Sequence, residues 1–98
     1  MFDKMKTLLD MQRKAQQMKQ ELEGIIFETA SSDGIVKITM NGSQQIKDLS
    51  LNCNMQEIEK VDLENALKDA YNRAIKRSHD IAAQKMKNIT GLNLGGLF

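Results

Sequence analysis

Apolar residues recur with a helical period at both ends of the chain and with a strand period in its middle. From Met1 to about Glu23 they are spaced three and four apart, at Leu8, Met11, Ala15, Met18 and Leu22, as on one face of an amphipathic helix. Gly24 follows this stretch and is a natural helix stop. We therefore predict a first helix of about 35 Å, from the rise of 1.5 Å per residue.

Three short stretches with strand character come next. They span Ile25–Ala30, Ile35–Met40 and about Gln45–Leu51, and turn residues separate them. Asn41-Gly42 stands between the second and third stretches. This dipeptide predicts a two-residue type I′ hairpin turn, because both residues tolerate positive φ. The pattern as a whole predicts a three-stranded antiparallel meander with local connections.

The predicted strands also indicate which side of the sheet faces a core. The second strand places its apolar residues on one face, these being Val36, Ile38 and Met40. On the third strand Leu49 and Leu51 share a face, but Ile46 is out of phase with them. Either a β-bulge lies near Lys47-Asp48 or both faces of this strand are partly covered.

A second long helix is predicted from about Asp62, its expected N-cap, to about Ile89. Two adjacent apolar stripes follow it, one formed by Leu63, Leu67, Ala70, Ala74 and Ile81 and the other by Tyr71, Ile75, Ala82, Met86 and Ile89. Together the stripes make a wide face for a core. The expected fold class is α+β in the order α-β-β-β-α, with residues 1–90 as a single domain and residues 91–98 as a flexible C-terminal tail.

The two predicted helices are longer than the predicted strands on which they would pack. Strands of about six residues are ~20 Å long, whereas both helices are longer, so the helix ends must project beyond the sheet. The apolar stripes continue along the projecting parts. The simplest solution is a symmetric dimer, in which either the sheets or the helical seams of two chains cover one another. We therefore expect a homodimer whose helix ends form arms.

Composition and single residues give little support for catalysis. The chain has 98 residues, a formal net charge of +1, one cysteine (Cys53) and one histidine (His79), too few for a cysteine-based metal cluster or an internal disulfide. No glycine-rich phosphate loop or metal-ligand spacing is present. No apolar run approaches the ~20 residues of a membrane span. We expect no enzyme activity, no metal or cofactor, no small-molecule substrate and no membrane partner, in a cytoplasmic protein.

The charges of this nearly neutral chain are unevenly distributed along the second helix. Tyr71 to Ile89 carries five basic residues and one acidic residue, whereas Glu57 to Ala70 carries two basic and five acidic residues. In the first helix, Met11 to Gln20 contains basic residues and no acidic one. Basic groups on projecting arms can bind DNA phosphates with little regard to sequence. The competing interpretation is that these are ordinary solvated helix faces.

Four stretches of the chain resemble the YbaB/EbfC family of bacterial nucleoid-associated proteins. They are the opening Met1–Lys6, the Met- and Gln-rich Leu8–Met18, the strand and turn Gly34–Gly42, and Leu67–Ala74 of the second helix. The Gly/Leu-rich C-terminus is also similar. Each motif is short, but their order and spacing together cover nearly the whole chain.

The resemblance implies a homodimer joined through its strand region, with helical arms protruding like tweezers. It also implies binding of double-stranded DNA with little or variable sequence preference, a location in the nucleoid, and a role in organising it or modulating transcription. The candidate DNA contacts are the basic residues of both helices: Lys4, Lys6, Arg13, Lys14, Lys19, Arg73, Lys76, Arg77, Lys85 and Lys87. The alternative is a non-enzymatic adaptor that holds a protein partner through its apolar helical seams.

Overall fold

The computed structural model describes the backbone of residues 2–90 and the side chains of residues 4–88. The elements follow the predicted order: α1 (Phe2–Gly24), β1 (Ile26–Ala30), β2 (Val36–Asn41), β3 (Ile46–Leu51) and α2 (Lys60–Thr90). The α+β fold with a three-stranded antiparallel sheet and two long helices is thus confirmed. The predicted flexible tail, residues 91–98, lies outside the described residues.

The sheet is a meander in which β2 lies in the middle. Val36 pairs with Leu51 and Ile38 with Leu49, but Met40 pairs with Ile46. Lys47 is therefore the extra residue of a β-bulge, one of the two alternatives that the sequence left open. Because paired residues point to the same side of a sheet, the bulge turns Ile46 onto the face of Leu49 and Leu51.

The loop between β2 and β3 is not the predicted type I′ turn. Among the non-glycine residues described, only Gln44 has a positive φ, of 66°, and Gly42 does not. The amide of Gln44 donates to the carbonyl of Asn41 (3.1 Å), and the amide of Asn41 donates to the carbonyl of Gln45 (3.0 Å). This is a three-residue hairpin loop that ends in a left-handed residue. The hairpin was predicted correctly, but the positive φ expected at both Asn41 and Gly42 is found at Gln44 instead.

Helix α2 lies across β1 and β2, and alanines make its contact face. Ala66, Ala70 and Ala74 are at most 3% exposed, and they pack on the buried side chains of β1 and β2, namely Phe27, Val36, Ile38 and Met40. Small side chains let the helix backbone approach the sheet closely, so the core is thin and dense. Tyr71, expected in an apolar stripe, is instead 47% exposed.

The start of α2 also differs from the prediction. The helix begins at Lys60, because the carbonyl of Glu59 accepts hydrogen bonds from the amides of Asp62 and Leu63, both at 3.1 Å. Asp62 therefore lies in the first turn and is not the N-cap. Its carboxylate still stands where the helix dipole favours a negative charge.

Helix α1 and the end of α2 form an arm that extends away from the sheet. The arm consists of α1 together with Ser78–Thr90 of α2. The carboxylate of Glu21 and the ammonium of Lys85 are 3.8 Å apart, which places the two helices side by side. The molecule measures 66 × 24 × 18 Å, a length that α2 alone, at about 46 Å, cannot supply. All described side chains of α1 from Lys4 to Gln17 are exposed.

Candidate nucleic-acid interface

The side chains of seven of the ten predicted contact residues make no hydrogen bond or ion pair with any described residue. They are Lys4, Lys6, Arg13, Lys14, Lys19, Lys76 and Lys87, and all seven are exposed. Five of them lie on α1. Between Lys4 and Gln20 that helix has five basic residues and one acidic residue, Asp10. A free ammonium or guanidinium group on an exposed helix can approach a phosphate without first breaking an internal contact.

The other three predicted contact residues are held by neighbouring groups. The Nε of Arg73 donates to the carboxylate of Asp69 at 2.9 Å, and Lys85, which is half-buried, is paired with Glu21. The guanidinium of Arg77 donates to the carbonyl of Glu28 at 3.1 Å. It also lies over the ring of Phe27, 5.1 Å from its centroid, a cation–π contact. Arg77 thus ties α2 to β1, which its sequence position alone does not indicate.

The arm is attached to the sheet at a cluster that we call the junction, formed by Leu22, Glu23, Asn41, Gly42 and Ser78. The side chain of Asn41 is fully buried. Its amide group donates to the carbonyl of Glu23 (3.3 Å), at the end of α1, and to Oε1 of Gln45 (2.8 Å). Its oxygen accepts hydrogen bonds from the amides of Ser43 and Gln45, both at 3.0 Å. One side chain therefore connects α1 to the β2–β3 loop.

Gly42 and Ser78 complete the junction. The amide of Gly42 donates to the carbonyls of Leu22 (2.9 Å) and Ile25 (3.0 Å). A Cβ at position 42 would lie 2.9 Å from the carbonyl oxygen of Leu22, so only glycine allows this approach. The hydroxyl of Ser78 is fully buried and shares its proton between the carbonyls of Asn41 (3.3 Å) and Gly42 (3.0 Å). The loop thus holds α1 and α2 together where the arm begins.

The β1–β2 loop is held by carboxylates at the other end of the sheet. Asp69 of α2 accepts a hydrogen bond from the amide of Ser32 at 2.8 Å, which, with the Arg73 contact, holds the pKa of its carboxyl below the ordinary value of 3.8. The hydroxyl of Ser31 and the amide of Ile35 donate to Asp33 and lower its pKa in the same way. The Asp33 contacts shape the loop itself, and the Asp69 contact ties α2 to it.

The face of β3 that continues the core side of the sheet is uncovered. Ile46, Leu49 and Leu51, which we call the β3 row, are 47%, 43% and 39% exposed. Their partners on β2 are fully buried beneath α2, which packs mainly on β1 and β2. An apolar row on an edge strand is a surface that soluble proteins normally cover.

The described residues form a groove on α1 but no cluster of metal ligands. A shallow open groove on α1 is lined, among these residues, by Leu9, Gln12, Arg13 and Gln16. Nowhere in the described part of the chain do three His, Cys, Asp or Glu side chains converge as metal ligands would. Neither described helix combines the length and apolar character of a membrane span.

Comparison with known proteins shows the family of this chain. The model of the YbaB/EbfC DNA-binding family matches residues 1–93. The chain belongs to the YbaB/EbfC DNA-binding family. Two relatives named nucleoid-associated proteins, from Dictyoglomus thermophilum and Dictyoglomus turgidum, are 33% and 32% identical over 100 aligned positions, covering 99% of this chain and 96% of each relative.

The fold of this YbaB/EbfC member recurs in a solved structure. The crystal structure of an uncharacterised protein from Helicobacter pylori superposes with a TM-score of 0.75, covering 91% of this chain and 96% of that one, at 23% identity. At this identity the likeness concerns the fold alone. The family assignment expected from the four short motifs is confirmed. The ten DNA-contact residues stay predictions.

Sequence reasoning missed the junction. It singled out Asn41 and Gly42 for the turn between two strands, and it gave Ser78 no role. The sequence did contain one signal. Ser78 follows Ala70 and Ala74 at a helical spacing, on the face of α2 that packs on the sheet, and a buried hydroxyl there needs a hydrogen-bond partner. The partner is a backbone carbonyl 36 positions away, which no local pattern indicates.

Proposed function

We propose that this protein binds double-stranded DNA with little sequence specificity, as a homodimer whose helical arms carry the contact residues. The observation that carries the proposal is the set of seven exposed basic side chains without partners among the described residues, six of them on the arm. Family membership supports the same function. Exposed lysines and arginines on helices suit phosphate contacts, which carry no sequence information, so the affinity is expected to come mainly from the DNA backbone.

The proposed homodimer forms through the β3 row. Covering Ile46, Leu49 and Leu51 with the same row of a second copy gives a two-fold symmetric interface. It also extends the thin core, because the row continues the buried face of β2. The two arms then project from a common centre and double the number of free basic groups. The spacing between the arms sets the length of DNA that is covered.

In the cell the expected location is the cytoplasm and its nucleoid, where a binder of this kind organises DNA or modulates transcription. Phosphate contacts release condensed counterions, so binding is expected to weaken steeply with salt. A net charge of only +1 per chain means that binding depends on local charge on the arms. The acidic start of α2 is expected to face away from the DNA.

The test is fluorescence anisotropy of a labelled duplex titrated with protein at several salt concentrations. Two matched variants test whether the arm contacts DNA. The arm variant is Lys14→Ala/Lys19→Ala, on the acid-free part of α1, and the start-of-α2 variant is Lys60→Ala/Lys68→Ala. Each removes two exposed helical lysines. If Lys14 and Lys19 contact phosphates, the slope of log K against log salt becomes shallower in the arm variant, by about 1.8 for each arm on the duplex and about 3.6 when both arms of the dimer bind.

The start-of-α2 variant is expected to keep the wild-type slope, although it carries the same net charge. Equal losses in the two variants would show that only net charge matters and would remove the arm from the proposal. Unlabelled duplexes of unrelated sequence should compete equally. Strong preference for one competitor would contradict nonspecific binding.

A second candidate function is supported by the apolar residues of the arm. Leu8 and Met11 on the predicted α1 seam are each 62% exposed, and only the end of that seam, at Leu22, is buried. An adaptor would use this seam to hold a partner helix. No DNA binding at low salt by a folded dimer, together with partner capture that Leu8→Ser abolishes, would favour this function.

A further inference from the structure

Asn41-Gly42 is the only Asn-Gly dipeptide in the sequence, and this pair is chemically labile. The backbone nitrogen of the glycine can attack the side-chain amide carbon of the asparagine, because glycine has no Cβ to hinder the approach. We propose that Asn41 is a latent deamidation site, which the junction protects in the native state and which is modified only when the junction opens.

The reaction needs no partner beyond water. The Gly42 amide gives its proton to base, and its nitrogen forms a bond to Cγ of Asn41. The bond from Cγ to Nδ2 breaks, and the nitrogen leaves as ammonia after taking up a proton. Water then opens the five-membered imide at either carbonyl. The products are aspartate, or isoaspartate with the main chain running through the former side chain.

The junction opposes the first step at both reacting atoms. The Gly42 amide proton is directed at two carbonyl oxygens, those of Leu22 and Ile25, at 2.9 and 3.0 Å, and Gly42 itself is buried. The Asn41 amide is fully buried and makes four hydrogen bonds, to Glu23, Ser43 and Gln45. Turning its Cγ toward the glycine nitrogen breaks these contacts without replacing them.

The products cannot rebuild the junction. An aspartate at position 41 has no amide protons, so its carboxylate would face two acceptors, the Glu23 carbonyl at 3.3 Å and Oε1 of Gln45 at 2.8 Å. Isoaspartate adds a main-chain methylene directly before Gly42 and so displaces a residue that lies too close to Leu22 to carry even a Cβ. Each opening of the junction therefore carries a risk of irreversible damage where α1 joins the sheet. This inference goes beyond DNA binding and does not depend on it.

The experiment follows the amide-to-acid mass change of the peptide containing Asn41, in the full chain kept at mildly alkaline pH. Parallel samples stand in native buffer and in concentrated urea, and fragment spectra distinguish aspartate from isoaspartate. The wild-type chain is expected to react at least about tenfold more slowly in the native state, because reaction requires local opening. Equal rates in the two samples would overturn the proposal.

Two variants separate protection by the junction from general stability. Ser78→Ala removes the hydroxyl that holds the loop, and it is expected to speed deamidation in native buffer and not in urea. Asp69→Asn removes contacts at the opposite end of the sheet and is expected to leave both rates unchanged. If Ser78→Ala does not fold, Gln45→Ala, which removes one acceptor of Asn41, takes its place. Native rates that do not rise in a folded junction variant would contradict the proposal.

A last measurement concerns the product. Chains deamidated in urea are returned to native buffer, separated by charge from unmodified chains that had the same treatment, and unfolded with urea. The modified chains are expected to unfold at a lower midpoint. Equal midpoints would show that the junction accommodates the modification, which overturns this part of the inference.

Discussion

The hydroxyl of Ser78, in the middle of α2, donates to the carbonyl of Gly42 in the β2–β3 loop at 3.0 Å. Both residues are buried, and 36 positions of sequence separate them. The amide of Gly42 donates in turn to the carbonyl of Leu22 near the end of α1. The two helices of the arm are thus connected through one glycine, and the direction of the arm depends on that connection.

Replacing Ser78 by alanine leaves the carbonyl of Gly42 without this donor in a buried site. We expect Ser78→Ala to lower the free energy of unfolding by about 1–2 kcal/mol, measured by urea titration followed by circular dichroism. Ser50→Ala is the matched control, since Ser50 is exposed on β3, and a change within about 0.5 kcal/mol is expected there. Equal effects in the two variants would remove the special role of Ser78.

Gly42→Ala is expected to be more disruptive than its size suggests. The added methyl carbon would lie 2.9 Å from the carbonyl oxygen and 3.0 Å from Cδ2 of Leu22, so α1 must shift, at a cost of about 1–3 kcal/mol in the free energy of unfolding. Gly24→Ala is the control, because a Cβ there meets nothing within 4 Å. A Gly42→Ala protein as stable as Gly24→Ala would contradict this account of the loop.

The proposed dimer makes the β3 row sensitive to charge. Leu49→Asp places a carboxylate in the middle of the row, and we expect it to weaken dimerisation tenfold or more, equivalent to at least ~1.4 kcal/mol. Sedimentation equilibrium measures the dissociation constant. Ser50→Asp introduces the same charge on the opposite face of the same strand. Dimers of equal strength in both variants would place the interface elsewhere.

Acid is expected to destabilise the fold through the carboxylates that hold the β1–β2 loop. The pKa of Asp69 is lowered in the folded state by the Ser32 amide and then by Arg73, so the unfolded chain binds the proton more tightly. Its contribution to stability is complete above the ordinary pKa of 3.8 and is lost as pH falls through the lower folded value.

Asp69→Asn should therefore flatten the fall of the unfolding midpoint below about pH 4, measured by urea titration at a series of pH values. Asp48→Asn, at an exposed carboxylate on β3, is the comparison. An Asp69→Asn protein that loses stability with acid as steeply as wild type would show that other groups dominate.

The sequence predicted the elements well because each has a strong local signal. The spacing of Val36, Ile38 and Met40 identified the buried face of β2. The phase break at Ile46 left a bulge as one of two alternatives, and the structure shows that bulge at Lys47. The wrong predictions concern positions where a hydrogen bond to a backbone group determines the local structure. Asp62 has the side chain of an N-cap, yet the carbonyl of Glu59 accepts the first helical hydrogen bonds.

For the candidate site, too, the sequence predicted the residue types and the fold determined their contacts. Charge along the chain selected ten basic residues as candidate DNA contacts. Only the folded structure shows that three of them are held, Arg73 by Asp69, Arg77 by Glu28 and Phe27, and Lys85 by Glu21. Tyr71 illustrates the limit for apolar patterns. It falls on a stripe by spacing, but α2 turns its alanine face to the sheet and leaves the tyrosine exposed.

What the sequence by itself determined is the order of the elements, their periods, the polarity of their faces and the family, because these depend on residues close together in the chain. The tertiary structure alone decided the use of Asn41, Gly42 and Ser78. The roles of these three residues depend on hydrogen bonds to backbone carbonyls. Those carbonyls belong to segments that are distant in the sequence. Hydrogen bonds that join α1, the hairpin and α2 exist only once all three are in place.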